Sequence, residues 1–366
     1  MDDTKKQPQK DTQKDTHEFV FEELRTLTEK IHSTESMPED LVERLDQMVQ
    51  RLDRMAKLGH YASEFDTLSR YIEIITSVPW VAETEDILDL KKTKVLLDKN
   101  HYGMDYVKER ILEYLASLIL LKRREKHALS RAPIMLLEGL QGVGKTTLAI
   151  SVADALGRKF VRIAMGGLGS TLELRGQSKS LPSSEPGQIV KALLKTGVRN
   201  PLILLDEIEK ASGEKGLRSD IMAVLLEILD PNQNKSFRDH YLDYPLDLSD
   251  VMFICSANNT GTLSTALMDR MEVIKMPSYT DAEKVVIARD YLFPKIIENT
   301  GLTEEELQID PNLWPGIVRP FGFDTGIRSL GRTLESICRK VAKEIVDEKA
   351  EKVYITADNL KHYLPK

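Results

Sequence analysis

The run Gly139-Leu140-Gln141-Gly142-Val143-Gly144-Lys145-Thr146 has the spacing G-x-x-x-x-G-K-[ST] of a phosphate-binding loop. Its glycines let backbone amides wrap an anion, Lys145 reaches the β and γ oxygens of a nucleoside triphosphate, and Thr146 offers a hydroxyl to magnesium. A glycine-rich turn with no ligand is the plain alternative, and the apolar strand expected just ahead, from Ile134 to Glu138, speaks against it. Further along, Leu202-Ile203-Leu204-Leu205 runs into Asp206-Glu207. This delivers two carboxylates to the carboxyl end of a second apolar strand, where open α/β sheets bind ligands. Asp206 suits a magnesium ligand and Glu207 a residue that polarises the attacking water; a solvated acidic turn is the ordinary alternative. A cation near the γ-phosphate completes such a site, and Arg270 and Arg328 are two candidates. By residue type alone, an ordinary surface arginine is the more common reading of each.

Regular elements must hold these residues in place. Pro133 to Glu138, Lys159 to Met165, Pro201 to Asp206, Asp250 to Ser256 and Glu272 to Met276 read as nearly continuous apolar strands separated by helical stretches. That alternation predicts an α/β fold, with a parallel sheet covered by helices on both faces, over 101–277. After Pro277 the strand signal fades. Helices broken at Gly301, Pro311, Pro315 and Pro320 then form a mostly helical domain over 278–366. It includes a short strand at Val353 to Ile355 and a last helix from Thr356 or Asp358. Residues 18–100 read as helical. From Phe19 to Ile31, and through Leu41, Leu45, Met48, Leu52 and Met55, apolar residues recur at steps of four and three. Core packing of a small bundle explains this stripe, and a protein-binding coiled-coil face is the other reading. Ser77-Val78-Pro79-Trp80 interrupts the pattern, because proline disfavours the α region at the residue before it. Residues 1–17, in which Gln9-Lys10-Asp11-Thr12 repeats as Gln13-Lys14-Asp15-Thr16, are expected to be a disordered polar tail.

A chain of 366 residues suits two or three domains. Its 51 lysines and arginines against 58 acidic residues leave a formal net charge of −7, so no global basic field draws nucleic acid. The cluster Lys122-Arg123-Arg124 adjoins Glu125 and reads as a solvated helix face. The longest apolar stretch, Ile111 to Leu121, is broken by Glu113 and Ser117 and falls short of the roughly 20 residues that span a bilayer. Neither a membrane nor a nucleic-acid partner is expected. Two cysteines, Cys255 and Cys338, exclude a disulfide framework and a cysteine-rich metal site. With the polar N-terminus, they suggest a cytoplasmic setting.

Beyond the phosphate loop, stretches in one order resemble the ATPase module of the Lon protease (endopeptidase La) family, within the AAA+ superfamily. The resemblance runs from roughly Met37 to Leu364. The stretches include Ser77-Val78-Pro79-Trp80, His101-Tyr102-Gly103, Val107-Lys108-Glu109-Arg110-Ile111, Leu205-Asp206-Glu207-Ile208-Glu209-Lys210, Asp239-His240-Tyr241-Leu242 and Asp269-Arg270-Met271-Glu272-Val273-Ile274. The resemblance implies an AAA+ P-loop NTPase fold with a helical lid, and ATP with Mg2+ as ligands. Under it Gly139, Gln141, Gly142, Val143, Gly144, Lys145, Thr146 and Thr147 bind the nucleotide together with His101 and Tyr102. Thr146 and Asp206 hold magnesium. Asn258, at the end of the strand through Cys255, becomes the polar sensor that orients the lytic water. Arg270 becomes a finger sent into the neighbouring subunit's site, and Arg328 the second sensor on the lid. A homo-oligomeric ring, usually a hexamer, follows because each site is completed from next door.

The chain departs from the family pattern in two respects. It stops at Leu364-Pro365-Lys366, where the lid should end, so no Ser-Lys peptidase domain is expected, and only a helical segment precedes the ATPase where the family has a globular N-terminal substrate-binding domain. The central-pore loop, between Arg175-Gly176 and Pro186-Gly187, carries Leu181-Pro182 in place of an aromatic-aliphatic pair. Leucine keeps apolar contact but lacks the flat face of an aromatic anchor, and Pro182 stiffens the loop. Neutral variation with threading retained is one reading, and a weak grip on polypeptide is the other. The expected function is ATP hydrolysis that remodels or unfolds protein substrates without intrinsic peptidase activity. The alternatives are the ATPase subunit of a split protease with a separate peptidase chain, or a nucleotide-dependent scaffold that threads nothing.

Overall fold

A computed structural model describes residues 8–57, 62–124, 133–181, 183–211, 217–319 and 326–365. In chain order its strands are β1 (Ile134–Glu138), β2 (Phe160–Ala164), β3 (Leu202–Asp206), β4 (Phe237–Asp239), β5 (Tyr244–Leu246), β6 (Met252–Ala257), β7 (Met271–Lys275), β8 (Leu307–Ile309) and β9 (Val353–Ile355). Five of them form a parallel sheet in the order β2-β3-β6-β1-β7. These are the five expected from the apolar runs, with ends shifted by at most two residues.

Side-chain alternation explains why the runs are continuous. Leu136, Ile203, Leu205, Phe253 and Cys255 enter one core, whereas Met135, Leu137, Leu202, Leu204, Met252 and Ile254 enter another on the opposite face. The second core is closed by α4 (Leu90–Asn100), α5 (Asp105–Arg124) and α6 (Lys145–Leu156) through Leu97, Ile111, Leu115, Leu148 and Val152.

The first core continues into α1 (Pro8–Ser33), α2 (Glu39–Lys57) and α3 (Ala62–Thr76). Val20, Leu24, Leu27 and Ile31 are buried with Leu41, Leu45 and Leu52 of the stripe, which is core packing there, whereas Met48 and Met55 are half-buried and Val49 and Ala56 enter the core in their place. These helices are fixed to the hairpin β4–β5. Tyr71, fully buried, donates to the Leu242 carbonyl at 2.8 Å, Arg44 pairs with Asp243 at 2.5 Å, and Trp80 meets Tyr244 edge-on at 5.7 Å between ring centroids. The structure corrects one expectation here. α1 begins at Pro8, inside the stretch read as a disordered tail, while residues 1–7 lie outside the described residues. Lysine and glutamine form helix readily and proline fits a first turn, so a helix nucleated by the buried stripe extends outward at little cost.

The C-terminal domain has its own core, with Ile296, Leu307, Ile317, Leu334, Ile337 and Cys338 among its members. β9 forms as expected and pairs parallel with β8. The last helix, Leu360–Tyr363, starts later than Thr356 or Asp358, because the Asn359 side chain accepts from the Thr356 amide and donates to the Tyr354 carbonyl, closing a turn first. Among the described residues, no helix is long and apolar enough to cross a membrane.

Removing the Tyr71 hydroxyl strands a buried carbonyl, so Tyr71→Phe should lower unfolding stability by about 1–3 kcal/mol in chemical denaturation. An unchanged denaturation midpoint would mean that the helices are not anchored through this bond.

Candidate functional site

The phosphate loop links β1 to α6, the chain reversal its glycines are suited to. Gly142 and Gly144 hold φ of +87° and +100°, a region in which a side chain is strained. β1 runs beside β6 with Leu136 opposite Cys255 and Glu138 opposite Ala257, which brings Asn258 alongside the loop. The Lys145 ammonium has three protons and three acceptors: the carbonyls of Gly139 at 2.5 Å and Leu140 at 3.1 Å, and Asn258 Oδ1 at 2.8 Å. Burial lowers its pKa against the opposing pull of Asp206, Glu209 and Glu207.

Asp206 closes β3 and is buried. The Ser256 hydroxyl of β6 donates to its Oδ1, and Arg162 of β2 donates to its Oδ2 at 2.5 Å. Ser256 Oγ also accepts the amide of Glu207 at 3.0 Å, so one hydroxyl ties both carboxylate residues to the adjacent strand. Glu207 itself has a left-handed backbone, φ 58°, a strained setting of the kind found at functional sites. Its side chain pairs with Lys210 at 2.9 Å. Asp206 and Thr146 offer a carboxylate and a hydroxyl oxygen, hard donors that fit magnesium, which is ordinarily held by one or two protein groups plus phosphates and water.

The lid reaches the same place through a close backbone contact. The Ile327 amide donates to the Gly142 carbonyl at 3.2 Å, and a Cβ on Gly326 would lie 2.4 Å from the Gln141 carbonyl oxygen. Only glycine permits that approach. Arg328, next in the chain, therefore lines one cavity of 260 Å³ with Gln141, Gly142, Lys145, Thr146, Asp206, Glu207 and Asn258. A neighbouring cavity of 440 Å³, lined by His101, Tyr102, Ser151, Tyr279, Tyr291 and Lys295, shares Gly144, Thr147, Leu292 and Ile327 with the first. A π-helical stretch, Ile287–Leu292, supplies Ile287, Tyr291 and Leu292 to this wall. Together the two cavities form a cleft for an elongated ligand with an anionic end.

Some residues singled out in the sequence lie elsewhere. Gly139 and Val143 line neither cavity; the Gly139 amide bonds the Ala257 carbonyl and the Val143 carbonyl accepts from Tyr279, so both shape the loop from beneath. Arg270 is outside both cavities and binds the Leu226 carbonyl at 3.0 Å and Asp230 at 2.8 Å. Leu181 is exposed, and Pro182 lies outside the described residues. Asp239 pins the base of the 177–185 loop by accepting the Gly187 amide at 2.8 Å, and the Lys179 ammonium sits 4.1 Å from the Tyr71 ring centroid. Sequence reading gave no role to Arg162, Ser256, Glu209 or Tyr291. Ser256, a lone hydroxyl within an apolar strand, was the one detectable signal.

Burial pushes the His101 imidazole down to about 4, with Ser151 Oγ 3.0 Å from Nε2. Between that value and the ordinary 6.5, the unfolded chain binds a proton that the folded one refuses, so this contribution to stability is intact above 6.5 and declines toward pH 4. His101→Gln should therefore lose less thermal stability than wild type between pH 7 and pH 5. Parallel losses in scanning calorimetry would show that His101 is not buried neutral.

Comparison with known proteins fits this geometry. Residues 135–278 match the AAA family, described as ATPases associated with various cellular activities, and residues 298–354 match the Lon protease AAA+ ATPase lid domain. The chain is 43% identical over 344 residues to Lon protease 1 of Bacillus subtilis (strain 168), covering 94% of this chain and 43% of that protein. It is similar to the Lon protease of Desulforamulus reducens, 42% over 332 residues, covering 91% of the chain and 40% of the relative. With that of Acinetobacter baumannii it shares 43% over 338 residues, covering 92% and 40%. The chain thus spans less than half the length of the curated relatives it matches. Carrying an AAA domain joined to a Lon lid, it belongs to the AAA+ ATPase modules of the Lon family.

Proposed function

We propose that this chain binds and hydrolyses ATP in order to remodel or unfold protein, and that it cleaves no peptide bond itself. The observation that carries the proposal is the convergence of Lys145, Thr146, Asp206, Glu207, Asn258 and Arg328 on one cavity from four separate stretches of chain. The triphosphate lies along the amides of the glycine loop, and Lys145 exchanges the Gly139 and Leu140 carbonyls for β and γ oxygens. His101 and Tyr102 border the larger cavity, where the base fits, and Thr147 lies between the two. Magnesium, on Thr146 and Asp206, supplies neutralisation of the phosphate charge when bound. Glu207 polarises the attacking water, Asn258 orients it, and Arg328 offsets charge developing on the γ-phosphoryl oxygens.

Arg270 cannot serve its own cavity from where it lies, which supports a role in the site of a neighbouring copy. We therefore propose a homo-oligomeric ring, a hexamer by family likeness. Two buried free cysteines support a reducing, cytoplasmic setting. A separate peptidase chain working with this ATPase is compatible with the same site. The scaffold reading has one observation in its favour: Lys179 on the Tyr71 ring, with Arg70 3.5 Å from Glu185, ties the pore loop to α3. With Leu181-Pro182 in place of an aromatic pair, this supports a weak grip on polypeptide.

Lys145→Ala should abolish nucleotide binding, whereas Glu207→Gln should bind ATP and hydrolyse it at least about 100-fold more slowly, the scale of a positioned base. Undiminished phosphate release by Glu207→Gln would sink the assignment. Arg270→Ala should bind ATP normally and turn it over poorly, and mixing it with Glu207→Gln should restore activity at interfaces holding both intact groups. Full turnover of Arg270→Ala by a monomer at high dilution would exclude a finger supplied in trans.

A further inference from the structure

The two ends of the Asn258 amide are chemically different, and the structure shows which end faces the phosphate cavity. Oδ1 is 2.8 Å from the Lys145 ammonium, and Nδ2 is 2.7 Å from Glu209 Oε1. An ammonium only donates and a carboxylate only accepts, so this orientation is the one the neighbours permit. Glu209 Oε1 also takes the Asn258 backbone amide at 3.1 Å, which locks main chain and side chain together. Glu209 stands on the turn Ile208–Lys210, directly after Glu207. Its other oxygen, Oε2, is buried and has no hydrogen-bond partner among the described residues.

We propose that Glu209 is a positioning residue that turns the carbonyl end of Asn258 into the cavity, making Asn258 a hydrogen-bond acceptor there. The inference rests on the ATPase reading above and gives Asn258 a defined chemistry within it. Before nucleotide binds, the carbonyl accepts from Lys145. Once Lys145 moves to the phosphates, the same oxygen is free for a water proton. A water that donates one hydrogen to Glu207 and the other to Asn258 Oδ1 has its remaining lone pairs for phosphorus. As the new P–O bond forms, the bond from the γ-phosphorus to the β–γ bridging oxygen breaks and ADP leaves with that electron pair; the proton lost by the water goes to Glu207, while Asn258 only holds the other. An inverted amide would donate to the water and direct a lone pair away from phosphorus. Glu209 prevents that inversion because it offers no proton to an inward-turned carbonyl.

The test is a double-mutant cycle on ATP turnover, with melting temperatures measured for every variant. Glu209→Leu, similar in size but without an acceptor, should lower kcat about 10- to 100-fold with little change in KM, the scale of a hydrogen bond to a charged partner. Glu209→Gln, which keeps an acceptor, should retain more activity. In an Asn258→Ala background, Glu209→Leu should cost almost nothing further, because its partner is already gone. If Glu209→Leu costs the same factor in both backgrounds, Glu209 does not act through Asn258. A second readout needs no turnover: in the nucleotide-free protein, the Asn258 side-chain amide protons should be protected from exchange by NMR, and lose that protection in Glu209→Leu. Equal exchange in the two proteins overturns the orientation. Failure of wild type to hydrolyse ATP would count against the ATPase reading, while the amide measurement still decides the role of Glu209.

Discussion

Because β3, β6 and β1 are covered on both faces, a polar side chain along them meets no water until the strand ends. The exceptions must find partners within the protein. Ser256 does so by bonding Asp206 on one side and the Glu207 amide on the other. The carboxylate pair is thereby held by a neighbouring strand rather than by solvent, and the strained backbone of Glu207 is kept in place by the same hydroxyl. Parallel register does the rest: Ala164 opposite Asp206 sets Arg162, two residues earlier on β2, within reach of the carboxylate.

Several charges of the cleft are paired with groups of the protein itself. Lys145 is spread over two loop carbonyls and Asn258, Arg162 holds Asp206, and Lys210 holds Glu207. Each of these contacts occupies an atom that the proposed chemistry needs. In the proposed reaction, binding is an exchange of partners, with the cost of uncovering a buried charge offset by the incoming phosphate or cation. The pairings keep the site ordered without fixing it in its working arrangement.

Peripheral elements reach this centre through specific contacts. The lid meets the phosphate loop at Gly326 and Ile327, so a shift of the loop is felt directly at the start of the helix Arg328–Val346. On the other side, α3 touches both the hairpin β4–β5, through Tyr71 and Leu242, and the 177–185 loop, through Tyr71 and Lys179. One buried tyrosine thus joins the N-terminal helices to the two segments of the sheet domain that they cover.

Local sequence determined the phosphate loop, the five strands, the amphipathic stripe of α1 and α2 and the short strand β9, because each depends on spacing within a few residues. Glycine positions, apolar alternation and a step of three or four are all properties of the chain alone. The contacts that orient the site are different in kind. Arg162 with Asp206, Glu209 with Asn258 and Gly326 against Gln141 join residues that only strand order, register and lid placement bring together. Tyr291 enters the cleft wall from a π-helical stretch that no periodicity announces. The start of α1 is not legible for a related reason, since a polar stretch carries no apolar periodicity to mark the helix it merely prolongs. Composition and motif thus determined which chemical groups the chain brings to the cleft. Tertiary structure decided which atom of each group faces it, because a hydrogen bond is chosen by the partner and the partner is chosen by the fold.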